Sequence, residues 1–257
     1  MKTVTEVSGA AHRSAPQRST FLLQILGSVI ALWVLLSLLG LLITKVLDET
    51  EPFKGEGGIN RSLAETRTPT GDEVTGFFSK LGSTEIIIGI LLVLVVVFRL
   101  VYGRWRESVF LFFAVWTQSL VFLAAAAVIS RSRPDVTKLD AAPPTSSFPS
   151  GHTGAAVALF VGVALILVWH TRSTWLRVPL VTLAIALPLG VAYSRLYRGM
   201  HFPTDVTASF VNGLLAITIW ARSVLFGVLP DRWARALDGR SGGNRHHAVD
   251  TSSGINA

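Results

Sequence analysis

Six separate apolar runs, each about long enough to cross the roughly 30 Å hydrocarbon core of a bilayer as a helix, constrain this chain more than any other feature. They extend over Thr20–Ile43, Glu85–Val101, Ser108–Ile129, Ser150–Trp169, Leu176–Tyr193 and Val206–Leu225. None alternates with period two as barrel strands do, and a backbone in lipid must satisfy its own hydrogen bonds, so the runs predict an all-α, polytopic membrane protein. Half the residues are hydrophobic and 15% are charged, a balance outside the soluble range. The net charge of +7 comes from Lys and Arg placed largely at the ends of apolar runs, where they orient membrane helices. No nucleic-acid partner is therefore expected. The chain has no cysteine, which excludes disulfides, thiol catalysis and cysteine-held metals.

Charge also sets the expected topology. Lys2, Arg13 and Arg18 precede the first run, which ends at Thr44-Lys45-Val46 without a small-residue cleavage site and so reads as an uncleaved anchor. Arg99, Arg104 and Arg106 mark the cytoplasmic end of the second. The expected layout is a cytoplasmic tail over 1–19, a six-span domain over 20–229 with an extracytoplasmic loop at 45–83, and a disordered cytoplasmic tail over 230–257. Within the loop, Thr70 and Glu73 have capping-box spacing before Val74, Phe77, Phe78 and Leu81, which predicts a short helix resting on the membrane surface. Gln118 in the third run is expected to hydrogen-bond a neighbouring helix, and Asn212 in the sixth to serve packing. His246 and His247, in the tail, have no carboxylate cluster beside them and are taken as incidental.

Polar residues that could carry chemistry gather at particular run ends. Pro149-Ser150-Gly151-His152 opens the fourth run as a turn into a helix, whose unpaired N–H groups favour an anion. Arg131 and Arg133 close the third run and Arg195 and Arg198 the fifth, all on the outer side, against the usual positive-inside bias. His201 and Asp205, four apart around Pro203, are spaced for a carboxylate to reach back to an imidazole. Taken singly, these read as headgroup anchors, a capped helix and an ion pair. Six alternating crossings nevertheless bring all of them to one outer boundary. There, guanidinium groups suit a phosphate, and two histidines can divide the work of nucleophile and general acid.

In this order the residues resemble the type 2 phosphatidic acid phosphatase superfamily, which also includes vanadium-dependent haloperoxidases. Arg133-Pro134 is similar to the close of its first motif, Pro149–His152 to its second, and Ser194-Arg195 with His201 and Asp205 to its third. The resemblance implies the family's helical bundle and a membrane lipid phosphatase without metal or other cofactor. It casts His201 as the nucleophile forming a phosphohistidine, Asp205 as its partner and His152 as general acid and then base. Arg133, Ser150, Gly151 and Arg195 would hold the phosphate, with Arg131 as a further candidate. Implied substrates are polyprenyl diphosphate, phosphatidylglycerophosphate or phosphatidate at the outer face of a cytoplasmic membrane. A lipid-phosphate binding or transport protein and a lipid phosphotransferase are the alternatives. One motif position departs: the family's first lysine is replaced here by Ala126, for which Arg131, Arg198 or Lys138 are candidate substitutes. The sequence carries no indication of oligomeric state.

Overall fold

The computed structural model describes residues 18–47, 50, 55–227 and 229–239, which form nine helices. Six are long and apolar enough to cross a membrane: α1 (Arg18–Val46), α4 (Thr84–Tyr102), α5 (Arg106–Val128), α6 (Gly151–His170), α7 (Thr174–Tyr197) and α8 (Pro203–Leu225). The shorter helices are α2 (Glu56–Glu65), α3 (Pro69–Leu81) and α9 (Asp231–Asp238). α1, α6 and α8 each contain one five-residue π-helical turn, at Leu42–Val46, Val157–Val161 and Ala221–Leu225. The expected tail 1–19 lies outside the described residues up to residue 17. Of the tail expected to be disordered from residue 230, Asp231–Asp238 is helical, and residues 240–257, with His246 and His247, lie outside the description.

The six spans are not equivalent. α5, α6 and α8 bury about twice the share of their most apolar window that α1, α4 and α7 do, 44%, 50% and 44% against 22%, 17% and 22%. The sequence explains the difference. Small residues on the inner helices allow close approach, as at Gly213, where an added Cβ would meet Val157, and Gly162, where it would meet Leu111. One core cluster joins Phe110, Leu111 and Ala114 of α5 to Val157, Leu159 and Ile166 of α6 and Ile217 and Trp220 of α8. A second packs Leu32 and Leu36 of α1 against Val121, Ala125 and Ile129, with Ala208 and Ala216 of α8. The outer helices instead present leucine and valine to lipid, as at Leu23, Leu26, Val93 and Val96. α7 continues through Pro179 and Pro188 without interruption.

The loop expected over 45–83 holds two helices rather than one. α3 is the anticipated short helix, but Thr68 caps it, its side chain accepting from the Gly71 N–H, with Pro69 in the first turn. α2 has no matching sequence signal, being opened by Gly55, Glu56, Gly57 and Gly58. Tertiary contacts hold it in place. Asn60 is fully buried and donates through Nδ2 to the Leu196 and His201 carbonyls at 3.2 and 3.0 Å.

Candidate active site

A cavity of about 580 Å³ opens where the outer ends of α5, α6 and α7 meet α3, α4 and the 129–150 connection. Arg133, Gly151, His152, Arg195 and His201 line it, although the chain separates the first and last by 67 intervening residues. α6 begins there because Ser150 caps it: its hydroxyl accepts from the Thr153 N–H and Thr153 Oγ1, at 3.5 and 3.1 Å. The Ser150 N–H donates to Ser209 Oγ at 2.7 Å, and Ser209 donates to the Asp205 carbonyl, also at 2.7 Å, so the helix start is tied to α8. Gly151 lets the Phe122 ring approach closely, since a Cβ there would lie 2.9 Å from that ring and displace it.

The two arginines are anchored by one end each. Arg133 donates from one terminal nitrogen to the Met200 carbonyl at 2.8 Å. Arg195, 3% exposed, donates from one terminal nitrogen to Asp140 Oδ2 at 2.6 Å and to Ser79 Oγ at 2.5 Å. In both, Nε is buried without a partner among the described residues. Such orphan donors are costly unless a ligand meets them. Asp140 is shared by Arg198, whose Nε lies 2.8 Å from Oδ1; these partners outweigh burial and hold the Asp140 carboxyl down to about 2.

His201 differs from the spacing-based expectation. Its Nδ1 donates to the Ser147 carbonyl at 2.7 Å, whereas Asp205 Oδ2 is 3.8 Å away, beyond hydrogen-bond range. A carbonyl can only accept, so Nδ1 carries the hydrogen and Nε2 keeps its lone pair. Burial pushes His201 below the ordinary histidine range, against the opposing Asp205 carboxylate, and Arg195 and Arg133 push it down further. Asp205 accepts instead from Arg131 at 2.5 Å and from the Phe202 N–H at 2.8 Å.

Arg131 therefore does not join the phosphate-binding set proposed for it. It is held by Glu56, Asp205 and Thr204, stacks on the Phe202 ring at 4.3 Å, and is absent from the cavity lining. Ser150 is likewise a buried helix cap and not a lining residue. Of the other candidate substitutes for the lysine missing at Ala126, Arg198 is bound to Asp140 and the Leu139 carbonyl, and Lys138 is exposed away from the cavity. Lys80, at the end of α3, does line it, as do Ser79 and Asp140. No motif marks these three, nor Glu56 and Asn60, which fix Arg131 and the His201 backbone; their roles exist only in the folded contacts.

Residues 107–227 match the PAP2 superfamily. Phosphatidylglycerophosphatase B of Bacillus subtilis is 28% identical over 158 residues, covering 61% of this chain and 77% of that protein. A lipid A 1-phosphatase of Rhizobium johnstonii is 30% identical over 149 residues, covering 52% of this chain and 57% of the relative. The crystal structure of a transmembrane PAP2 type phosphatidylglycerolphosphate phosphatase from Bacillus subtilis superposes with a TM-score of 0.65 at 23% identity, over 75% of this chain and 94% of that one, a likeness of fold. Every motif residue lies within 107–227, whereas α2 and α3 lie outside it.

Proposed function

With residues 107–227 forming a PAP2 superfamily region, we propose that this multi-pass membrane protein hydrolyses a lipid phosphate or diphosphate at the membrane boundary. The observation that carries the proposal is the state of His201: Nδ1 is committed to the Ser147 carbonyl and Nε2 has no partner among the described residues, in a residue that lines the cavity together with Arg133 and Arg195. A phosphate held by the two guanidinium forks and the start of α6 would present phosphorus to Nε2. The N–P bond forms as the bond to the lipid oxygen breaks, and His152 gives its proton to that oxygen. His152 then takes a proton from water, whose oxygen attacks phosphorus, releasing inorganic phosphate and restoring His201. Asp205 and Arg131 act behind His201, with Asp205 supporting the developing positive charge from 3.8 Å.

The functional unit is the six-span body with its 45–83 connection. Arg99, Arg104, Arg172 and Arg177 lie at the span ends opposite the cavity, and the positive-inside bias supports an extracytoplasmic site in a cytoplasmic membrane. The arginine pair supplies charge neutralisation from side chains alone, so hydrolysis should need no metal. The test is phosphate release by the purified protein in detergent, with EDTA, from phosphatidate, phosphatidylglycerophosphate and a polyprenyl diphosphate. Turnover of at least one is expected. Binding without release from any of them would favour a carrier, and release dependent on an added acceptor lipid a phosphotransferase.

A further inference from the structure

Below the charged end of the cavity, toward the bilayer, the lining becomes apolar through Ile87 and Ile88 of α4 and Val115 and Leu123 of α5. One polar pair interrupts it. Gln118 is 1% exposed and lines the cavity, and its side chain does not bond a neighbouring helix as its position in the span suggests. Asn212 of α8 donates to the backbone carbonyl of Gln118 at 3.0 Å, leaving the carboxamide alone. Ser119 Oγ donates to Oε1 at 3.3 Å, and Nε2 is buried with no partner among the described residues. The amide occupies space left by Gly154, where an added Cβ would stand 2.2 Å from Nε2. A donor unsatisfied in the bilayer interior is retained at a cost and so points to an acceptor supplied from outside the chain.

Depth identifies that acceptor. Phe122 lies against Gly151 at the mouth of the anion site, and Gln118 is one turn back along α5, roughly 6 Å deeper at 1.5 Å per residue. A lipid whose phosphate sits at Gly151 and His152 brings its glycerol backbone to this level and its tail to the apolar lining beyond. We infer that Gln118 Nε2 donates to an acyl ester carbonyl of the substrate, so that the site selects diacylglycerol-type phosphates over polyprenyl phosphates, which have no carbonyl. This rests on the cavity being a lipid-phosphate site and narrows which lipid it takes.

The test compares phosphatidate with its dialkyl ether analogue of equal chain length, which lacks only the carbonyls. Binding of each to the full chain in detergent is read by thermal shift, with phosphate release followed in the same samples. One neutral hydrogen bond corresponds to about fivefold to tenfold tighter binding of the ester by the wild-type protein. In Gln118→Leu the ester-to-ether ratio should fall to about one. Equal binding of the two lipids by the wild-type protein would overturn the inference, and that comparison needs no variant to fold. An unchanged ratio in folded Gln118→Leu would overturn it as well. Ester-selective binding lost in Gln118→Leu, with no phosphate release, would uphold this contact while defeating the phosphatase reading.

Discussion

Two buried carboxylates, each set between an arginine and a histidine, stand at opposite ends of the bundle and are put to different use. Glu107, at the start of α5, takes Arg104 through Nε and a terminal nitrogen at 3.0 and 2.5 Å and His170 Nε2 at 3.0 Å, while Tyr102 stacks on the His170 ring at 4.0 Å. Asp205, at the start of α8, takes Arg131 and the Phe202 N–H, but its histidine turns Nδ1 to a backbone carbonyl and leaves Nε2 without a partner among the described residues. The first network is closed, and a closed buried network serves as a staple. The second opens onto a cavity that also holds two arginines with orphan donors. Charge and residue type are alike at the two ends; the proposed chemistry rests on which nitrogen is left over.

The sharpest way to break the comparison is to remove each histidine. His201→Ala should lower phosphate release by on the order of a thousandfold or more if His201 is the nucleophile proposed above. His170→Ala should leave turnover within about twofold, the usual reach of a change that touches no reacting atom. Equal losses would mean the two networks do the same work. Next in size, Arg195→Gln should reduce kcat/KM by roughly 10²-fold, as expected when a donor to developing charge is lost. At the closed end the effect should move from rate to stability: Glu107→Gln leaves Arg104, itself partly exposed, facing a neutral amide and should cost about 1 to 2 kcal/mol, read from thermal unfolding, with kcat unchanged in the folded fraction.

How far the sequence could be read follows the same division. The apolar runs and the Pro149–His152, Arg195 and His201 signals were legible because they are local: a bilayer sets run length, and a turn into a helix has its own residue chemistry. The His201–Asp205 spacing was local too, and it brings the carboxylate within 3.8 Å of Nδ1, but four residues along a helix do not fix the hydrogen bond; the Ser147 carbonyl, 54 residues away, takes the ring N–H. Arg131 looked like Arg133 in sequence. Its partners Glu56, 75 residues distant in α2, Thr204 and Asp205 hold it away from the cavity that Arg133 lines. Asp140 and Ser79 orient Arg195 through contacts 55 and 116 residues long, for which no spacing rule exists.

pH should separate the smaller effects. With His201 held below its usual 6.5, Nε2 stays unprotonated at neutral pH, and the acid limb of kcat/KM set by this group should lie below pH 6.5. Asp140 has the same sign for stability. Its folded value of about 2 is below the ordinary 3.8, so its contribution, on the order of 2 kcal/mol, is complete above pH 4 and is lost as pH falls from there through 2. Asp140→Asn should flatten that acid loss in an unfolding titration.

The most direct measurement is to trap the covalent intermediate. His152→Ala retains the proposed nucleophile but lacks the residue proposed as acid and then base, so incubation with a lipid diphosphate carrying labelled terminal phosphate, whose phosphate leaving group needs little help from an acid, followed by an alkaline quench that preserves phosphohistidine, should leave label on the peptide containing His201. Label at that position, abolished in the His152→Ala/His201→Ala double variant, is the expected result. Continued turnover by His201→Ala, or label carried on any other residue, would contradict the assignment of His201 as the open end of an otherwise closed design.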